Sequence, residues 1–161
     1  MSRMHSLARS IVYVLAALGV AAYGGAAVVT VADVLGRPIG LPVEGVVDLV
    51  QLFVVAGAWL VMPYAFMVGA HVGVDFLVKM LPGALKTPLA LFSTAASLLL
   101  VALMLWYGLG TFIERASYGD SSQQLDIPMA WYWYPLIVGL AASLLGAILE
   151  AIAVLRGDGH E

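Results

Sequence analysis

Cysteine is absent from these 161 residues, and charge is scarce. Without a thiol there is no disulfide framework, no thiol redox step and no thiolate metal site. A dithiol–quinone oxidoreductase, one familiar kind of four-helix membrane enzyme, is therefore excluded. Asp, Glu, Lys and Arg make up only 11% of the chain, against about a quarter in a soluble domain. Such a chain cannot cover a water-facing surface. Histidine is also rare: His5 and His160 lie in the tails and His71 stands alone, so no pair faces across a bilayer as a bis-histidine haem requires. No Ser/His/Asp set, phosphate loop or carboxylate pair can be assembled from the remaining polar residues. The expectation is a protein that is not an enzyme, holds no cofactor or metal, and has no nucleic-acid partner.

Apolar residues are present in abundance. They form 63% of the chain, and the mean hydropathy is +1.01, so the bilayer is its solvent. Crossing roughly 30 Å of hydrocarbon takes about 20 mainly apolar residues in a helix. Four stretches qualify, about 9–32, 46–70, 88–113 and 129–154. The first is too long for the apolar core of a signal peptide, about 7–15 residues, and the chain behind it is itself membranous, so it is read as retained. Breakers separate the spans: Gly36, Pro38, Gly40 and Pro42, then Pro82, Gly83 and Pro88, then "SYGDSSQQLDIP" at 117–128. The expected fold is an all-α membrane protein, with residues 1–161 forming a single integral membrane domain.

Lysine and arginine accumulate on the cytoplasmic side of a membrane protein. Arg3, Arg9, Lys79, Lys86 and Arg156 fall on one side of the four spans, and only Arg37 and Arg115 on the other. Both termini are thus expected in the cytoplasm. The 33–45 and 114–128 connections then face outward, carrying Asp33, Glu44, Glu114, Asp120 and Asp126. The "WYWY" at 131–134 suits an aromatic belt at that outer interface.

A charge at the bilayer centre costs several kcal/mol, so ionisable residues inside a span are candidates for function. Span one has none between Arg9 and Asp33 and span three none between Lys86 and Glu114, Asp48 lies one turn into span two, and Glu150 lies near the cytoplasmic end of span four. A proton-coupled pump needs an embedded carboxylate at mid-membrane, and none is present. Pro63 is the strong breaker inside a span, and such kinks commonly serve packing.

Between the second and third spans stands "HVGVDFLVKML" (71–81). His71, Asp75 and Lys79 recur every four residues and form a polar stripe, with Phe76, Leu77, Val78, Met80 and Leu81 beside it. The spacing predicts a short amphipathic helix lying in the membrane interface. Asp75 precedes Lys79 in the favourable order for an ion pair of about 0.2–0.5 kcal/mol.

Small residues recur at helix-contact spacing. Gly139, Ser143, Ala147 and Ala151 form a ridge in span four with Ala142 and Gly146 beside it, and Ala21 with Gly25 and Ala22 with Ala26 do so in span one. Ridges of this kind let backbones approach closely in lipid, either within the bundle or against another chain. Glu150 opposes the helix dipole at its position, so it either snorkels to the interface or meets a cation or hydrogen-bond donor.

From Val31 to Leu81 the elements run in a definite order: "LGRP" (35–38), "GVVDLVQ" (45–51), "MPYA" (62–65), "GAHVGVDFL" (69–77) and "LP" (81–82). The chain resembles the small membrane subunit of the tripartite ATP-independent periplasmic (TRAP) transporters, the DctQ-like family. The positions that match the family pattern are Arg37 after span one, Asp48 entering span two, His71 with Val74 and Asp75 after it, and Ile127 with Pro128 before span four. Many members carry glutamate where Asp48 stands. The resemblance implies a bacterial inner-membrane scaffold subunit of a sodium-driven importer of organic acid anions. Its implied partners are a large membrane subunit, which would hold the coupling sodium ions, and a periplasmic solute-binding protein. Candidates for subunit contact or docking are Arg37, Glu44, Asp48, His71, Asp75, Lys79, Asp126, Gly139, Ser143 and Glu150. Two other readings fit the size and span count: a four-helix membrane enzyme of the glutathione-transferase type, and a self-assembling small exporter.

Overall fold

What ends a helix in this chain is backbone chemistry, not the edge of the apolar run. The computed structural model describes residues 2–68 and 83–156. Helix α1 (Ser2–Gly36) passes through Arg3 and Arg9 at one end and Asp33 at the other, outrunning the expected 9–32. It stops only where Gly36 gives way to a 3₁₀ turn, Arg37–Ile39, with Pro38 inside it and Gly40 in the left-handed region at φ 76°. Helix α2 (Val46–Met67) begins after Gly45, which has φ 69°, and continues through Pro63. Helix α3 (Gly83–Tyr118) begins before Pro88 and includes it, although the sequence pattern puts Pro88 at a boundary. A proline so near the start removes one backbone bond, to the carbonyl four residues back, and the helix survives that loss. Helix α4 (Ala130–Arg156) opens two residues after Pro128 and likewise tolerates Pro135.

At about 1.5 Å per residue, α1 and α3 reach roughly 50 Å each, far more than the hydrocarbon thickness of about 30 Å. All four helices are long and apolar enough to cross a membrane. The interfacial helix expected over 71–81, with His71, Asp75 and Lys79, lies outside the described residues.

The helices do not pack in chain order. α1 lies on α2, α2 on α4, and α4 on α3, while α1 touches α4 only lightly. Among the described residues α3 makes no close backbone approach to α1 or α2. α4 is therefore central, and its inward face holds Leu140, Ala142, Ser143 and Ala147, all buried. Leu140 and Ala147 join Phe66 of α2 and Val101 of α3 in one apolar cluster, flanked by Trp59, Met62, Leu98, Met104, Leu105, Leu136 and Leu144.

Small residues bring the helices together. At the α1–α2 crossing a Cβ on Gly19 would stand 2.6 Å from a Val61 methyl, and one on Gly57 would stand 2.9 Å from the Tyr23 ring. At the α2–α4 crossing a Cβ on Gly139 would overlap the Trp59 carbonyl oxygen. The ridge of Gly139, Ser143 and Ala147 is thus turned toward α2 and the bundle interior. Outward faces stay apolar, with Leu18, Val28, Val31 and Leu35 exposed on α1 and Phe92, Leu100, Leu103 and Trp106 exposed on α3.

Candidate functional site

Both described connections lie at the same end of the bundle, and a carboxylate near each helix end organises them. Asp33, in the last turn of α1, is buried. Its Oδ2 accepts hydrogen bonds from Arg37 Nε at 2.9 Å and Nη2 at 2.6 Å, and its Oδ1 accepts one from Val43 N–H at 3.2 Å. The i, i+4 spacing sets Arg37 one turn beyond Asp33, and the 3₁₀ turn brings the chain back so that Val43 reaches the free oxygen. Gly36 permits this return: the Leu41 N–H donates to the Gly36 carbonyl at 2.9 Å, and a Cβ on Gly36 would overlap the Leu41 carbonyl oxygen.

Asp48 does the same for the other connection. It lies in the first turn of α2, where a carboxylate suits the positive end of the helix dipole, and only 6% of it is exposed. Instead of capping its own helix, Oδ2 accepts the backbone N–H groups of Gln124 and Leu125, each at 2.9 Å. The Asp48 carbonyl in turn accepts the buried Tyr132 hydroxyl of α4 at 3.0 Å. One residue therefore ties α2, the 119–129 connection and α4 together.

That connection is itself a folded unit. Ser121 and Pro128 form an antiparallel bridge. Ser122 N–H donates to the Ile127 carbonyl at 2.9 Å, and Met129 N–H to the Asp120 carbonyl at 2.9 Å. The buried Ser122 hydroxyl accepts Ile127 N–H at 3.1 Å, and Ser121 Oγ donates to Asp126 at 3.2 Å. Asp126 sits at φ 51°, in the left-handed region that aspartate tolerates better than most residues. Leu125 lies directly over Gly45, where a Cβ would overlap the leucine side chain. Gly45→Ala is expected to combine a backbone cost of about 1–2 kcal/mol for the left-handed position with displacement of Leu125. A lowered thermal midpoint that Leu125→Ala partly restores would check this.

The surface of this cap is acidic. Glu44 is exposed and has no hydrogen-bond or ionic partner among the described residues, and Glu114 and Asp120 are exposed beyond it. Glu114 accepts the Tyr118 hydroxyl at 2.9 Å, and Asp120 forms a long, solvent-exposed pair with Arg115 at 3.4 Å. Arg37 is held by Asp33, so neither described arginine of the cap is free.

Of the residues singled out from sequence, the structure brings Arg37, Glu44, Asp48 and Asp126 to this one end. Gly139 and Ser143 lie mid-bundle on the α2 face of α4, and Glu150 lies in the later turns of α4. His71, Asp75 and Lys79 lie outside the described residues. Sequence reasoning does not assign Tyr132, Ser122 or the Gly45–Leu125 contact. It groups Tyr132 with an aromatic belt, and the neighbours Trp131 and Tyr134 are indeed exposed. The helical spacing from Tyr132 through Leu136 to Leu140 and Ser143 is the available signal that it faces inward. Among the described residues no three His, Asp or Glu side chains gather as a metal site would require.

Four long apolar helices closed at one end by a hydrogen-bonded cap define a multi-pass membrane protein. A family model for the DctQ component of the tripartite ATP-independent periplasmic transporters matches residues 26–157. The chain belongs to that family, a transporter component and not an enzyme family. No curated protein matches it.

Proposed function

We propose that this chain is the scaffold subunit of a sodium-gradient-driven TRAP transporter, bracing a large membrane subunit that imports organic acid anions. The observation that carries this reading is the placement of charge. No charged residue lies between Arg9 and Asp33, between Asp48 and Met67, between Lys86 and Glu114, or between Ala130 and Glu150. A subunit that bound a carboxylate substrate or sodium in the membrane would need polar groups or unwound backbone there. The outer faces of α1 and α3 offer apolar area for the large subunit. The acidic cap offers Glu44, Asp120 and Asp126 to a periplasmic binding protein with a complementary basic patch. The distribution of lysine and arginine supports an inner-membrane orientation with both termini in the cytoplasm and the cap in the periplasm.

The test is uptake by cells that lack their own system and are supplied with this chain, the large membrane subunit and the binding protein. Uptake is expected to require all three and to collapse when the external sodium gradient is removed. Uptake by this chain alone, or full uptake in its absence, would overturn the proposal.

A further inference from the structure

The α2–α4 crossing is made by small residues of α4 lying on the backbone of α2. Gly139 sits against the Trp59 carbonyl, and a Cβ on Gly146 would stand 3.1 Å from the Pro63 carbonyl oxygen and 3.5 Å from Met67 N. Ser143 lies between these two glycines, four residues after one and three before the other, on the same face. It is completely buried, and its hydroxyl has no hydrogen-bond partner among the described residues. The facing helix has the converse deficit. Pro63 has no N–H, so the carbonyl four residues back, that of Trp59, lacks its helical donor. A hydroxyl without an acceptor and a carbonyl without its normal donor thus belong to the same helix crossing. Buried polar groups are costly to leave unpaired, and in lipid no water stands by to repair the loss.

We propose that Ser143 provides the donor that Pro63 withholds: a turn of its side chain from the unpaired position it has in this structure brings its hydroxyl to the Trp59 carbonyl across the crossing. The Gly139 carbonyl, one turn back on α4, is the competing acceptor, since Thr30 and Thr111 bond the carbonyl four residues back in their own helices; a bond there would make the loss on Ser143→Ala the same whether or not residue 63 is proline. Ser143 is then a positioning residue. It holds the proline-weakened middle of α2 against α4, and with it the angle between the capped end of the bundle and the opposite end.

The proposal makes two residues on different helices interdependent, which a double-mutant cycle reads directly. In the full-length chain, Ser143→Ala is expected to lower the thermal midpoint by several degrees. The same change made in a Pro63→Ala background, where residue 63 regains its N–H, is expected to have little effect. An equal loss in both backgrounds would overturn the proposal. Should Pro63→Ala not fold, the carbonyl itself can be read. With tryptophan carbonyls labelled with carbon-13, Ser143→Ala should move one component of the labelled amide infrared band to higher wavenumber, and Ser143→Cys, a weaker donor, should move it less. A labelled band unchanged by Ser143→Ala would also overturn it.

Discussion

Replacing Asp48 by alanine is expected to unfasten the cap, lowering the thermal midpoint by roughly 10 °C. The carboxylate is the shared acceptor for two backbone N–H groups from a connection 76 and 77 residues away in sequence. Alanine leaves both donors without a partner in a site where Asp48 is almost fully covered. Without that anchor the bridge between Ser121 and Pro128 no longer has a fixed place, and Leu125 loses its seat over Gly45. Asparagine in its place would keep one acceptor oxygen but no charge, so Asp48→Asn is expected to fall between wild type and alanine. Glu44→Ala, four residues earlier, removes a carboxylate with no partner among the described residues and should leave the midpoint unchanged. Thermal unfolding of the three variants in one detergent gives the order. Equal midpoints for the alanine variants at 44 and 48 would show that the cap does not depend on Asp48.

The second large effect is steric. Gly139→Ala places a methyl group where the Trp59 carbonyl oxygen already stands. Because the obstructing atom is backbone, no rotamer change relieves the overlap, and the helices must separate along their crossing. Overpacking of this kind costs about 3 kcal/mol. Gly110 provides the control: a Cβ there meets nothing within 4 Å, and alanine in place of glycine in a helix is worth about 0.5–1 kcal/mol in the stabilising direction. Opposite signs are therefore expected for the same chemical change at two glycines in neighbouring helices. Chemical unfolding in mixed micelles measures both, and a loss at Gly110 equal to that at Gly139 would mean that helix crossing is not what Gly139 serves.

The number and character of the helices are legible in the sequence because bilayer thickness imposes a length on any apolar run. Helix ends are less so. A hydropathy profile marks where apolar residues stop, whereas α1 and α3 continue through Arg9, Glu114 and Arg115, none of which breaks a helix. The ridge of Gly139, Ser143 and Ala147 can be read as a contact face, but spacing alone does not say which helix it meets. The cap is the least legible part. Asp48 can be seen as a carboxylate at a helix start, a position with its own sufficient explanation in the helix dipole. Its partners are the amide groups of Gln124 and Leu125 and the hydroxyls of Ser122 and Tyr132, brought to it from far along the chain, and no sequence pattern singles them out. Tyr132 is hidden by its company, since an aromatic run at a span boundary reads as an interfacial belt whichever member turns inward.

The packing order α1, α2, α4, α3 carries a consequence for biosynthesis. Helices leave the insertion machinery in the order of translation. α2 meets its first partner at once, because α1 is already in the membrane. α3 has no such reception: its neighbour is α4, which is still to be made, and neither earlier helix approaches its backbone among the described residues. During that interval no other described helix of this chain packs against α3, and the contacts that hold it in the finished subunit form only when α4 enters. The last span to be synthesised is therefore the one on which assembly of the whole subunit waits.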